Sequence, residues 1–229
     1  MISRAYWTFD NITDWFDDHI RRSIPGYQLG HDLVVSAADY FIWPSGCVYD
    51  IGCATGMLTH RLATKAAKKN ARVIGIDTEH TMIQYAKTQY TAPPEITWLC
   101  DDSCSHEFEH NCDMIIAYYT IQFIRPDLRA ALLTRIYDAL RVGGCFIMFE
   151  KIHAETGPLQ DINIGLYTDF KLDHGHSADD IMEKTRQIRQ VLTPQDSASN
   201  KALLKQAGFK TQSTIFRHSL FEGVLAIKR

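Results

Sequence analysis

No run of apolar residues approaches the roughly 18 needed to cross a bilayer, and the first residues, with Asp10, Asp14, Asp17 and Asp18, lack the basic and then apolar profile of a secretion signal. Both absences point to a cytoplasmic chain. Strong charge of one sign is missing too: 24 Lys and Arg against 27 Asp and Glu leave a net charge of -3, with no long basic tract. The electrostatic footprint of a nucleic-acid binder is therefore not written here. Cysteines number only six, and Cys47 and Cys145 fall inside predicted strands, which suits reduced, buried thiols and not a disulfide framework. Internal repeats and low-complexity tracts are also lacking. What remains, 45% hydrophobic and 22% charged residues over 229 positions, is the composition of one globular domain with a sizeable core.

The chain is organised around Val48-Tyr49-Asp50-Ile51-Gly52-Cys53-Ala54-Thr55-Gly56 and, after an amphipathic stretch, Val73-Ile74-Gly75-Ile76-Asp77. A β-branched and aromatic run, glycines among small residues, a helical period and a second apolar run stopped by an acid predict strand, loop, helix and strand. That is half of a nucleotide-binding fold. Gly52 and Gly56 let the backbone approach a ligand that a Cβ would block, and Asp77 is placed to take two ribose hydroxyls. Position 54 is Ala and no third glycine opens the helix, which argues against the pyrophosphate cradle of G-x-G-x-x-G. Asp50-x-Gly52-x-x-x-Gly56 instead resembles motif I of class I S-adenosylmethionine (SAM) methyltransferases, whose loop holds the amino-acid end of a phosphate-free cofactor.

Around this centre the sequence predicts a single α/β domain over 1–229, Rossmann-like, with a seven-stranded, mostly parallel sheet and an antiparallel last strand. Residues 1–45 form a helical cap, with two helices between about 10 and 41 split at Ser23-Ile24-Pro25-Gly26. Trp15, Phe16 and Ile20 make a packing stripe on the first, and Tyr27, just past the break, is placed to close over a cofactor. Lys65, Lys68 and Lys69 form a solvated helix end. A helix over 78–90 carries Met82, Ile83 and Ala86 on one face and stops at Pro93-Pro94. A strand over 95–100 follows, so Asp101, Asp102 and Ser103 fall at its carboxyl end, where open α/β sheets bind ligands. Strands over 114–119 and 145–149 flank a helix over 126–140 that Gly143-Gly144 ends. Residues 152–195, largely helical but interrupted at 172–176, are the natural lid and acceptor region. A helix over 199–206 and an antiparallel strand pair, 211–216 and 223–227, close the chain.

Longer stretches carry a narrower resemblance. Phe16-Asp17-Asp18-His19-Ile20-Arg21-Arg22-Ser23-Ile24-Pro25-Gly26-Tyr27, Thr120-Ile121-Gln122-Phe123-Ile124-Arg125-Pro126, Gly143-Gly144, Phe149-Glu150-Lys151 and Asp169-Phe170-Lys171 are similar to the carboxy-S-adenosylmethionine synthase family, which serves tRNA wobble-uridine modification in bacteria. The resemblance spans nearly the whole chain. It implies synthesis of carboxy-SAM from SAM and prephenate, a homodimer, and cofactor contacts at Tyr27, Gly52, Asp77, Asp101 with Asp102, and Tyr118. Motif and resemblance together give Tyr27, Asp50, Gly52, Cys53, Ala54, Gly56, Asp77, Thr78, Met82, Asp101, Asp102, Ser103 and Tyr118 as SAM contacts.

The chain departs from the family at two telling positions. An arginine follows the lysine that aligns with Lys184 and is implied to hold the extra carboxylate of carboxy-SAM; Thr185 stands in its place, and a threonine is no bidentate cation. Arg186 is one residue on, about 100° round a helix. Tyr118 replaces a family asparagine. Motif I differs more mildly, with Ala54 where the family has serine. The expected activity is therefore SAM-dependent methyl transfer to a small-molecule acceptor, with Tyr118, Tyr167 and Arg186 as catalytic candidates and His153 and His174 as further acceptor contacts. Carboxy-SAM synthesis, with Arg186 or Arg189 supplying the guanidinium, is the alternative. A SAM-binding regulatory protein without catalysis is the third. Cys100, Cys104, His106, His110 and Cys112 have metal-ligand chemistry but no standard zinc spacing, and are read as a polar loop with no metal.

Overall fold

The computed structural model describes residues 13–91, 94, 96–189 and 191–229; Asp10, Pro93 and Glu95, named above, lie outside them. Helices α1 (Thr13–Ser23) and α2 (Tyr27–Phe41) lead into strand β1 (Cys47–Ile51), every residue of which is buried. Burial on both faces is why β1 reads as a continuous run with no polar alternation. Helix α3 (Met57–Ala66), β2 (Arg72–Asp77), α4 (His80–Gln89) and β3 (Thr97–Cys100) complete the first half. The second half runs β4 (Cys112–Tyr118), α5 (Pro126–Ala139), β5 (Leu140–His153), α6 (Gly157–Asp173), α7 (Ala178–Gln187), β6 (Gln195–Asp196), α8 (Ser197–Ala207), β7 (Thr211–His218) and β8 (Phe221–Ile227).

The strand order is β3-β2-β1-β4-β5-β8-β7, with the two-residue β6 pairing alongside the end of β5. Strand β8 is antiparallel to both β5 and β7, while β1 to β5 pair in parallel. The expected seven-stranded sheet with its reversed last strand is present, and β6 adds a short strand that sequence patterning does not reveal. From β1 the chain steps outward to β2 and β3, then returns to the other side of β1 as β4. Such a reversal opens a crevice at the carboxyl ends of β1 and β4.

Strand alternation sends side chains to two cores. Val48, Met114, Ile116, Cys145, Ile147 and Phe149 pack with Val34, Ala38, Leu58 and Leu62 of α2 and α3. Tyr49, Ile51, Ile115, Phe146 and Met148 pack on the opposite face with Leu132, Leu133 and Ile136 of α5 and Leu204 of α8. Among the described residues, no helix is long and apolar enough to cross a membrane.

Three local expectations are corrected. Gly143-Gly144 does not end the helix: α5 stops at Ala139, and the glycines lie within β5. Gly143 adopts φ +79° and donates its N–H to Lys228 O at 2.8 Å, while Lys228 N donates to Gly144 O at 3.0 Å, where the β4 register slips between Cys112 and Met114. A bulge with a left-handed residue is the kind that glycine favours. Lys69 is more than a solvated charge, since its Nζ donates to Asp39 O and Ile42 O and closes the end of α2. In the α1 stripe, Phe16 is buried against Met82, whereas Trp15 is exposed.

Candidate functional site

A cavity of about 880 Å³ occupies the crevice, near the upper end of the range for small-molecule sites. Its floor is the β1–α3 turn. Gly52 has φ +69°, and a Cβ there would stand 2.4 Å from Thr120 Cγ2 and Oγ1, so only glycine fits. Thr120 Oγ1 donates to Ile51 O at 2.9 Å, and Gly52 N and Cys53 N both donate to Ile76 O, which ties the turn to β2 and β4. Ala54 also has positive φ, at +48°. Its N–H donates to Asp77 Oδ2 at 2.8 Å, and Glu79 N donates to Oδ1 at 2.9 Å. Asp77 thus holds the motif loop in shape while lining the cavity, and burial pushes its carboxyl above the usual range.

Asp50 lines the cavity beneath this loop and accepts a 2.6 Å hydrogen bond from Thr59 Oγ1. Burial raises it to about 7, with Asp77 adding to the rise. At the end of β3, Asp101 pairs with His106 Nδ1 at 2.7 Å and Asp102 accepts from Cys104 N at 2.8 Å; Ser103 is buried next to them. The helical cap closes this side. Thr55 Oγ1 donates to Asp17 Oδ1 at 2.6 Å, linking the turn to α1.

The middle of the cavity is aromatic. Tyr118 OH donates to Tyr27 O at 2.6 Å, and the Tyr118 ring lies 5.2 Å from Tyr27 and 4.6 Å from His31. Burial pushes the Tyr118 hydroxyl far up, so it stays protonated. Burial likewise holds His31 neutral by lowering it to about 3. Tyr119 OH is buried without a hydrogen-bond partner among the described residues.

The far wall is cationic. Lys151 from β5, Lys171 from α6 and Lys184 from α7 all line it, together with Tyr167, His19 and His176. Desolvation lowers Lys151 to about 8, with Lys171 contributing, and lowers Lys184 to about 7. On α7 the lining residues are Asp180, Ile181, Lys184 and Thr185, one face at helical spacing, with Ile188 at the cap just past its end.

Of the SAM contacts expected from sequence, Tyr27, Asp50, Gly52, Cys53, Ala54, Asp77, Thr78, Met82, Asp101, Asp102, Ser103 and Tyr118 line the cavity, and Gly56 does not. Gly56 is required by packing: a Cβ would stand 2.4 Å from Trp98 Cη2. Tyr167 and His153 line the cavity. Arg186 does not line it and donates toward Met182 Sδ, and Arg189 lines an adjoining surface hollow that shares His153, Ile188, Leu192 and Pro194 with the cavity. His174 stacks on Phe170, outside the cavity. Among the described residues no three metal-ligand side chains converge; Cys100 donates to Thr78 O and Cys112 to Glu109 O. The lysines of the far wall were missed as site residues, although Phe149-Glu150-Lys151 and Asp169-Phe170-Lys171 stand out among the family-like stretches.

Residues 48–144 match the model of a methyltransferase domain. The chain is 32% identical to the carboxy-S-adenosyl-L-methionine synthase of Shewanella piezotolerans, over 96% of this chain and 92% of that one. It is 34% identical to the synthase of the same name from Nautilia profundicola, over 99% and 96%. In fold it is similar to human N-acetylserotonin methyltransferase in complex with SAM (TM-score 0.59, 16% identity), which it matches over 96% of its own length and 59% of that chain.

Proposed function

This chain belongs to the carboxy-S-adenosyl-L-methionine synthase family, and from that premise we propose that it is a SAM-dependent methyltransferase acting on a small-molecule acceptor, not a producer of carboxy-SAM. One observation carries the distinction. Position 185 faces the cavity, but Thr185 Oγ1 donates at 2.7 Å to Ile181 O of its own helix and brings no charge. Neither Arg186 nor Arg189 lines the cavity where the family's arginine would stand, although Arg189 borders it through the adjoining hollow. Arg125, which does line it, is forked onto Asp127 at 3.1 and 2.6 Å.

The residues present suit SAM. Its space lies over the Gly52–Ala54 turn, next to the Asp77 carboxylate and below a row of aromatic rings. In this reading Asp77 takes the ribose hydroxyls, the Gly52–Ala54 turn the amino-acid end, Asp101, Asp102 and Ser103 the adenine, and Tyr27, Tyr118 and Met82 the walls. SAM supplies a methyl group made electrophilic by its sulfonium. What the protein must add is alignment, which can supply most of the acceleration for such a transfer. Tyr167 and Tyr119 position the acceptor from the β5 side, and the lid helices α6 and α7 exclude water.

Carboxy-SAM synthesis remains the second reading for one reason: the far wall is cationic without arginine. The proposal also has residues 1–229 acting as one cytoplasmic domain, without direct nucleic-acid contact, and as a homodimer. Leu159, Ile162 and Leu166, spaced along one face of α6 and exposed, suit such pairing.

Native mass spectrometry of the protein as purified tests the reading. Bound SAM or its demethylated product is expected. Bound carboxy-SAM would overturn it.

A further inference from the structure

The lid is held lightly. Helix α6 has no buried residue and α7 buries only Ile181, so little apolar contact fixes either helix against the rest of the fold. At the tip of the lid, the turn between them meets the helical cap through two histidines. Ser23 Oγ, at the end of α1, lies 3.4 Å from His19 Nε2 on the same helix and 3.2 Å from His176 Nε2 in the α6–α7 turn. The two imidazole rings stand 5.3 Å apart, edge to face, and all three residues line the cavity. The seam between cap and lid is therefore also a wall of the cavity.

A serine hydroxyl carries one proton, so to bond both rings it donates to one Nε2 and accepts from the N–H of the other. The ring that accepts must be neutral. Protonating both removes that acceptor and sets two imidazolium rings against each other. The surroundings are weighted against such charge. Arg22 of α1, Lys171 of α6 and Lys184 of α7 face the pair, while the acids beside it, Asp18 and Asp180, are engaged by Arg22 and by Ser177. Trp15 packs edge-on against His19 at 5.0 Å. Burial first, and then these cations, lower His19 to about 4 and shift His176 in the same direction.

We infer that His19, Ser23 and His176 form a pH-sensitive latch between cap and lid, closed while the imidazoles are neutral and released when both gain protons, so that acid opens the cavity and speeds exchange of its contents. A histidine parted from this seam returns to an ordinary value near 6.5, so opening takes up protons and is favoured as pH falls from 6.5 toward 4. Above that window the closed contact has its full strength. Between pH 7.5 and 5.5 the His19 difference alone moves the balance toward the open lid by about tenfold. The latch acts on whatever the cavity holds and does not depend on which group the enzyme transfers.

The test is hydrogen exchange read by mass spectrometry on the full chain at pH 7.5 and 5.5, normalised to intrinsic exchange rates, with the release rate of bound S-adenosylhomocysteine measured alongside. Protection of peptides covering 172–181 falls by about tenfold or more in acid and release quickens, while peptides from β1 and α5 keep their protection. His19→Gln removes most of both changes, and His19→Gln combined with His176→Gln removes all of them. Equal lid protection at the two pH values, or an unchanged release rate, overturns the inference. So does a full response in the double variant, or a loss of protection that extends equally to β1 and α5. If the double variant does not fold, His19→Gln decides, and a response left at full size there refutes the latch.

Discussion

Thr185→Arg is the substitution that converts the cavity toward the family's chemistry. Position 185 shares the lining face of α7 with Ile181 and Lys184, so an arginine there enters the cavity, whereas Arg186, about 100° round the helix, does not. The hydroxyl that is lost makes only a bond back to Ile181 O, a type of contact that contributes little to helix stability. The guanidinium gained offers a bidentate pair to a carboxylate. Such a charge-assisted pair contributes about 1.5–3 kcal/mol, or roughly tenfold to a hundredfold in affinity. Because Thr185 lies on an exposed part of the lid, the lower end applies. Calorimetric titration of carboxy-SAM and of SAM into both proteins gives the ratio of affinities. The ratio shifts toward carboxy-SAM by about tenfold in the variant. A wild-type protein that already prefers carboxy-SAM, or a ratio that does not move, refutes the reasoning.

Asp77→Ala weakens SAM binding by about tenfold or more, because it removes both a ribose partner and the two backbone hydrogen bonds that shape the turn; unchanged affinity in calorimetry would take Asp77 out of the site. Glu150 is raised from 4.5 to about 8 by burial, so between those values the folded state holds a proton that the unfolded chain has released, and stability falls as pH rises. Glu150→Gln removes that slope, and thermal melts across the same window show it as a variant that gains on the wild type with rising pH. Light scattering at micromolar concentration gives a dimer mass, with charge placed at Ile162 and Leu166 shifting it to monomer; a monomeric wild type would dispose of the pairing.

The motif turn and the order of elements were legible because both are local. Gly52, Asp77 and the strand runs sit within one strand–loop–helix–strand unit, and burial of β1 on both faces gives the apolar run its length. Gly56 was legible as a required glycine but not for its reason, since Trp98, which a side chain there would strike, is some forty residues along the chain. Gly143-Gly144 read as a helix stop because the partner that makes them a bulge, Lys228, lies at the other end of the sequence. The far wall failed for the same cause: Lys151, Lys171 and Tyr167 come from β5 and α6, and only folding puts two ammonium groups on one ring. Arg186 was favoured for its charge, while helical geometry turns it outward and leaves position 185 facing in.

The central claim is tested most directly by incubating the protein with SAM and prephenate and weighing the products. The account predicts SAM returned intact, with no carboxy-SAM and no phenylpyruvate beyond the uncatalysed background. Formation of both at catalytic rates would contradict it.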